Sequence, residues 1–168
     1  MNNCNSDILT KKGKDYNRRE FTTKRNSQTK IMKRKLVIQD NKTAVVALVI
    51  HKQKVLLLNR NRPPLNWCPP CGRVNVNESL EEVLIRKVKE ETGLSIDIIK
   101  YTSERKGMHV GKKIRSFTFI CKASSDEIIL SEEHCDYSWV NIKDLNKWTD
   151  KTDFSLEVWP KWIEEAFK

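Results

Sequence analysis

Two adjacent glutamates near the end of a predicted helix, Glu90 and Glu91, are the residues best suited to chemistry. Neighbouring helical residues point about 100° apart, so the two carboxylates can flank one object. The helix dipole disfavours acids at this end of a helix. Mg²⁺ commonly takes one or two carboxylates from protein and the rest of its ligands from water and phosphate. The pair is a candidate metal site; the alternative is a solvated helix face with intrahelical ion pairs.

An amphipathic helix predicted over residues 79–92 positions these acids. Ser79 is the expected N-cap, with Glu82 as its capping-box partner. Apolar residues recur at helical spacing, and Gly93 stands where a C-cap glycine belongs. Apolar and β-branched runs predict strands at 43–50, 55–58, 96–103, 114–122 and 137–140. Two further helices are expected at 142–148 and 155–167, and Pro160 either lies inside the second or starts it. This mixture predicts an α/β layered domain.

The segment around the acids resembles the Nudix box. That pattern is Gly, five residues, Glu, seven residues, then Arg-Glu-apolar-x-Glu-Glu-x-Gly-apolar. All defined positions but one are in register: Gly72, Glu78, Arg86, Val88, Glu90, Glu91, Gly93 and Leu94. Trp67 and Pro70 before the box, and Glu133 to Val140 after it, resemble the family's flanking segments. The resemblance implies a Nudix-type α/β/α sandwich with a mixed sheet, which we assign to residues 37–168.

The resemblance also implies an activity and a set of roles. Family members hydrolyse a pyrophosphate bond in nucleoside diphosphate-linked substrates with Mg²⁺ or Mn²⁺. Glu90 and Glu91 would be metal ligands and catalytic, and Glu133 a catalytic carboxylate that orients water. Gly72 and Arg73 would contact substrate; Lys87, which departs from the family pattern, is a further candidate for that contact. Glu78, Arg86 and Gly93 would be structural, with Glu78 and Arg86 paired.

Lys87 is the departure from the box, because it stands where the pattern has its first helical Glu. Three and four residues before Glu90 and Glu91, its ammonium can lie over both carboxylates and weaken metal binding. Three interpretations stay open. The enzyme works with one metal and borrows Glu82, Glu132 or Glu133; Lys87 itself touches a phosphate; or the domain binds nucleotides or RNA without cleaving them. A scaffold protein with this fold is a further class of function, but no feature of the sequence supports it.

Cys71 is a second departure, since the family usually has glycine before Gly72. It creates a CxxC pair with Cys68. A zinc site would need a second pair at knuckle spacing, and the sequence contains none, so two reduced thiols are the preferred interpretation.

The chain's positive charge is concentrated before the domain. Residues 1–36 hold eleven Lys and Arg against three acids, and so carry +8 of the net +10. We predict a disordered basic tail there, able to contact RNA through phosphates. No apolar run suits a signal peptide or a membrane span, and the cysteine number is odd. A cytoplasmic protein without a membrane partner is therefore expected, and a nucleotide-type substrate is what the Nudix resemblance implies.

Overall fold

The computed structural model describes residues 42–109 and 111–168, and within these the side chain of His109 is left undescribed. The predicted basic tail, its RNA contact and the domain start at residue 37 lie outside the described residues. No helix in the described ranges is long and apolar enough to cross a membrane.

The described residues form a mixed sheet with helices on both faces. Its seven strands are Thr43–His51 (β1), Lys54–Arg60 (β2), Trp67–Cys68 (β3), Cys71–Arg73 (β4), Ile96–His109 (β5), Lys112–Ala123 (β6) and His134–Asn141 (β7). The α-helices are Leu80–Thr92 (α1) and Trp159–Ala166 (α2), and the 3-10 helices are Ile142–Lys151 and Leu156–Val158. The predicted α/β/α sandwich with a mixed sheet is confirmed.

Strand β1 is the centre of the sheet because it has partners on both sides. It runs parallel to β6 from Thr43 to Ile50, and β6 pairs antiparallel with β5. On its other side β1 pairs with β4 near its start and with β2 near its end. Strands β3 and β7 both add to β2. Among the described strands β4 pairs only with β1, so one edge of β4 is open.

The continuous apolar run of β1 reflects burial on both faces of the sheet. Val45, Ala47 and Val49 pack in the core beneath α1. Their neighbours, such as Leu48 and Ile50, pack in a second core with α2 and the 3-10 helices. Successive strand residues point to opposite faces, so a strand covered by helices on both sides has no polar alternation.

Helix α1 begins and ends as its sequence predicts. Ser79 Oγ accepts from the Glu82 backbone N–H, and the Glu82 carboxylate accepts from the Ser79 backbone N–H at 3.0 Å, so the capping box is confirmed. Gly93 ends the helix in the left-handed region at φ 73°. A side chain is disfavoured there, which explains glycine at the C-cap.

Several predicted boundaries were wrong. Strand β5 continues to His109 instead of ending at residue 103, because the pairing with β6 extends as far as His109 and Lys112. The segment predicted as a helix at 142–148 is a 3-10 helix that ends at Lys151. The last helix is divided, with a 3-10 turn before α2 and Pro160 in the first turn of α2, where its missing N–H costs nothing.

Candidate active site

The loop before α1 is held to the helix by the ion pair of Glu78 and Arg86. Arg86 Nε donates to Glu78 Oε1 at 2.9 Å, and Arg86 Nη2 donates to Glu78 Oε2 at 2.8 Å. Such paired bonds are both strong and directional. The hydrogen bond from Arg86 holds the pKa of Glu78 below its usual value. The contact implied by the resemblance is therefore present, and it fixes the loop that leads into α1.

The ammonium of Lys87 lies at the point where three carboxylates converge. Lys87 Nζ is 3.3 Å from Glu90 Oε2, 3.4 Å from Glu91 Oε1 and 3.9 Å from Glu133 Oε2. Burial lowers the pKa of Lys87, but the three carboxylates outweigh burial and the pKa is raised. Lys87 is therefore charged at neutral pH and neutralises part of the cluster.

Glu91 is the buried member of this cluster, at 3% exposure. It lies at the open edge of β4, where its Oε2 accepts from the Cys71 backbone N–H at 3.2 Å. Burial raises the pKa of Glu91 to about 8, the Cys71 thiol adds to this, and Lys87 opposes it. Glu90 is more exposed and also accepts from Arg86 Nη1 at 3.1 Å. Burial raises the pKa of Glu90, but hydrogen bonds from Arg86 and Lys87 lower it further, so the net shift is downward.

Gly72 allows Lys87 to reach the carboxylates. A Cβ on Gly72 would lie 2.4 Å from Lys87 Cγ and 2.6 Å from both Cδ and Cε. Contacts that short do not occur between side chains, so the lysine stem occupies the space that any other residue at position 72 would fill. A glycine at position 72 therefore permits the close approach of the Lys87 stem to β4.

A cleft of about 430 Å³ lies over the opposite face of β4. Gly72 and Cys71 border it, so the carboxylate cluster and the cleft meet at these two residues. The volume is in the range of small-ligand sites. Its charged lining residues are Arg60, Arg73, Arg105, Lys106 and Asp153, and its aromatic ones are Phe154, Trp159 and Trp162. Arg73, predicted to contact substrate, lines this cleft; the Lys87 ammonium instead faces the carboxylates.

A family model described as NUDIX domain matches residues 40–159, the greater part of the chain. The chain belongs to the NUDIX domain family. This confirms the resemblance, and the carboxylate cluster of this Nudix domain lies within the matched residues.

Individual relatives agree with this assignment. A Caenorhabditis elegans protein assigned to the nudix hydrolases is 31% identical over 117 residues, which are 64% of this chain and 31% of that protein. The bis(5′-nucleosyl)-tetraphosphatase (asymmetrical) of the same organism is 30% identical over 104 residues, 59% of this chain and 75% of that one. The structure of the MutT protein from Methanosarcina mazei Go1 is similar with a TM-score of 0.65 and 27% identity, over 77% of this chain and 98% of that one. The chain thus spans about a third of the first relative.

The donor set of this Nudix domain fits a divalent ion only in part. Among residues 42–109 and 111–168, no three His, Cys, Asp or Glu side chains are arranged to hold a metal. Mg²⁺ nevertheless needs only one or two protein carboxylates when substrate phosphate completes its shell. Glu90 and Glu91 supply that number. An ion beside them would share the space of the Lys87 ammonium, so the fit requires Lys87 to turn aside.

Among the carboxylates considered as substitutes for the missing glutamate, Glu82 already has other partners. Glu82 belongs to the capping box and accepts from Ser79. The hydrogen bond of Glu132 is made by its backbone carbonyl, which accepts from the Asn61 side chain. Of the three candidates, Glu133 is the one whose carboxylate reaches Lys87 Nζ.

The cysteines Cys68 and Cys71 are free thiols in the structure. Hydrogen bonding between them lowers the pKa of Cys71 to about 6, and Arg60 adds to this because its Nη2 lies 3.4 Å from Cys71 Sγ. The same bond and burial raise the pKa of Cys68. Arg60 was not singled out in the sequence, nor were Arg105 and Lys106. The sequence does show charged residues at the ends of predicted strands. Charge alone does not tell whether such a residue lines a cleft or faces solvent.

A larger cavity, about 1230 Å³, lies at the other end of the sheet around the β1–β2 turn and α2. Neither Gly72 nor any member of the carboxylate cluster lines it. The smaller cleft is therefore the one connected with the Nudix box.

Proposed function

We propose that the chain is a divalent-metal-dependent hydrolase that cleaves a pyrophosphate bond in a nucleoside diphosphate-linked substrate. One observation carries the proposal: Glu90, Glu91 and Glu133 converge on one point at the open edge of β4, beside a cationic cleft. The names of the relatives support it, since they include a nudix hydrolase and a tetraphosphatase.

Each residue of the cluster has a distinct part in this proposal. Glu90 and Glu91 would hold Mg²⁺ or Mn²⁺, which would supply positive charge to neutralise the pyrophosphate. Glu133 is 60% exposed in its side chain, so solvent water reaches it, and its carboxylate would accept the proton of a water that attacks phosphorus. The Gly72 backbone borders the cleft and would contact a phosphate there, while the space of its missing side chain holds the Lys87 stem. Arg73 binds phosphate in the cleft.

A second function is supported by the position of Lys87. Its ammonium already neutralises the cluster at distances of 3.3–3.9 Å. If it does not turn aside when nucleotide binds, the domain retains the cleft and loses the metal, and it acts as a nucleotide- or RNA-binding module.

Turnover with and without metal separates the two functions. The full chain is incubated with ATP, ADP-ribose, diadenosine tetraphosphate and a 5′-triphosphorylated RNA in Mg²⁺ or Mn²⁺, and the products are identified by mass. Hydrolysis of any substrate that EDTA stops and added metal restores is the expected result. Binding of nucleotide in EDTA, without turnover in either metal, would reject hydrolysis and support the binding module.

A further inference from the structure

We propose that Cys68 and Cys71 are a site of reversible oxidation, at which hydrogen peroxide converts the two thiols into a disulfide. Cys71 is the thiol that attacks the peroxide, and Cys68 is the thiol that resolves the oxidised product. The site adjoins the carboxylate cluster, because the Cys71 backbone N–H donates to Glu91 Oε2 at 3.2 Å. It does not depend on hydrolysis, so this inference and the proposed function fail independently.

The two cysteines are held next to each other by the strands around them. Cys68 ends β3, which pairs with β2, and Cys71 begins β4, which pairs with β1. The connection between them is Pro69 and Pro70, and the Pro70 carbonyl accepts from the Ala47 backbone N–H at 2.8 Å. Proline fixes φ, so this connection has few conformations. The two thiols hydrogen-bond to each other, so oxidation would join two sulfur atoms that are already neighbours.

The two thiols differ in exposure as attack and resolution require. Cys71 is half-buried and borders the cleft over β4, so a small oxidant in the cleft reaches its sulfur. Cys68 is 1% exposed and does not line that cleft, so its thiol is shielded from the oxidant. Oxidation-sensitive cysteines commonly combine an accessible thiol with a second thiol beside it.

Hydrogen bonding favours Cys71 as the attacking thiol. Arg60 Nη2 donates to Cys71 Sγ at 3.4 Å, and a guanidinium stabilises the thiolate, which is the nucleophilic form of cysteine. Cys135 is more exposed, but its Sγ faces the Asn59 carbonyl at 3.6 Å, an acceptor that cannot stabilise a thiolate. Exposure alone would favour oxidation of Cys135, whereas the hydrogen bonds favour Cys71.

The reaction has two steps that balance. The Cys71 thiolate attacks one oxygen of hydrogen peroxide, the O–O bond breaks, and the hydroxide takes up the proton that the thiol released, leaving a sulfenic acid and water. The Cys68 sulfur then attacks Cys71 Sγ, the S–O bond breaks, and the hydroxyl leaves with the Cys68 proton as a second water. The two thiols have lost two electrons and two protons, and the peroxide has been reduced to water. An added dithiol such as dithiothreitol reverses the bond by thiol–disulfide exchange.

A soft metal ion is the other use of two neighbouring cysteines. A structural zinc ion needs four protein ligands. Within residues 42–109 and 111–168, no three His, Cys, Asp or Glu side chains are arranged to hold a metal. The pair therefore suits oxidation better than metal binding.

The test treats the full chain with hydrogen peroxide, without substrate or divalent metal, and maps the products by mass spectrometry. Both cysteines fall in the tryptic peptide 61–73. In wild type we expect this peptide to lose two hydrogens and to regain them with dithiothreitol. Cys68→Ala removes the resolving thiol, so the sulfenic acid on Cys71 should persist and be captured by dimedone. Cys135→Ala is the matched control and should form the disulfide as wild type does.

Three results would overturn the inference: oxidation of Cys135 before Cys71, a disulfide from Cys71 to a cysteine other than Cys68, or a sulfinic acid on Cys71 while Cys68 stays a free thiol. The wild-type map needs no substitution, so it decides the matter even if Cys68→Ala does not fold. Metal-dependent turnover without a disulfide would reject this inference alone. A disulfide in a chain that hydrolyses no substrate would reject the hydrolase alone.

Discussion

The side-chain stem of Lys87 lies across Gly72, with Lys87 Cγ 2.4 Å from the place of a Cβ on that glycine. Gly72→Ala should therefore displace Lys87 and cost about 1–3 kcal/mol in the free energy of unfolding. In a Lys87→Ala background the same substitution should cost much less, because the stem is gone. Urea unfolding of the four proteins measures this. Gly107→Ala, where a Cβ meets nothing within 4 Å, is the control. An equal cost in both backgrounds would refute the contact.

Replacing Lys87 should change metal affinity more than fold stability. Lys87→Glu converts a cation within 4 Å of three carboxylates into a fourth carboxylate. Mn²⁺ should bind roughly tenfold or more tightly, since two units of charge change beside the site. Electron paramagnetic resonance of free Mn²⁺ gives the affinity directly. Lys89→Glu makes the same charge change on α1 away from the cluster, and matching gains in both variants would show only a general field effect.

The pair of Glu78 and Arg86 should matter through its geometry. Arg86→Ala removes the two hydrogen bonds to partly buried Glu78 at 2.8–2.9 Å, together with the contact to Glu90, and should cost about 1–2 kcal/mol in the free energy of unfolding. Arg86→Lys should not restore this loss, because an ammonium cannot make the two parallel bonds. Lys147→Ala, which breaks the exposed pair with Asp144, should have almost no effect. Full stability in Arg86→Lys would contradict the account.

Glu91 should make the metal-free protein less stable as pH rises. Its pKa is near 4.3 in an unfolded chain and about 8 when folded, so the native state binds the extra proton between these values. Stability is then highest below the lower value and falls until pH passes the upper one. Thermal unfolding in EDTA from about pH 5 to 9 should show this slope in wild type and a weaker slope in Glu91→Gln. Glu90→Gln should not weaken the slope, because the folded pKa of Glu90 is lowered. Identical slopes in all three proteins would reject the shift.

Local patterns predicted the parts of the fold that local physics determines. Ser79, Glu82 and Gly93 set the ends of α1, and each acts through residues a few positions away. The β5–β6 hairpin extended further than predicted because its outer residues are polar, and pairing between strands rather than apolar period holds them. The residues at 142–148 have a helical apolar period that both kinds of helix satisfy approximately, so the sequence did not distinguish a 3-10 helix from an α-helix.

The candidate site was likewise predicted only where its contacts are local in sequence. The spacing of Lys87 to Glu90 and Glu91 predicted that the ammonium lies over both carboxylates, and it does. Glu133 reaches the cluster from a loop more than 40 residues along the chain, which only the family resemblance suggested. Arg105 and Arg73 lie in one row through the paired residues Ala44 and Ser116 between them, and no single-sequence pattern contains that information.

The most direct test of the central claim is the rate of pyrophosphate-bond cleavage in Mg²⁺ for wild type, Glu91→Gln and Lys87→Glu, with one substrate that wild type turns over. Glu91→Gln keeps an oxygen for the Cys71 N–H and removes the carboxyl group that would ionise to bind the metal. A hydrolase that depends on this cluster loses at least about 100-fold in kcat with Glu91→Gln, whereas Lys87→Glu keeps or gains activity at low metal. Undiminished kcat in Glu91→Gln would contradict the claim, because cleavage would then not depend on the carboxylates that meet at the edge of β4.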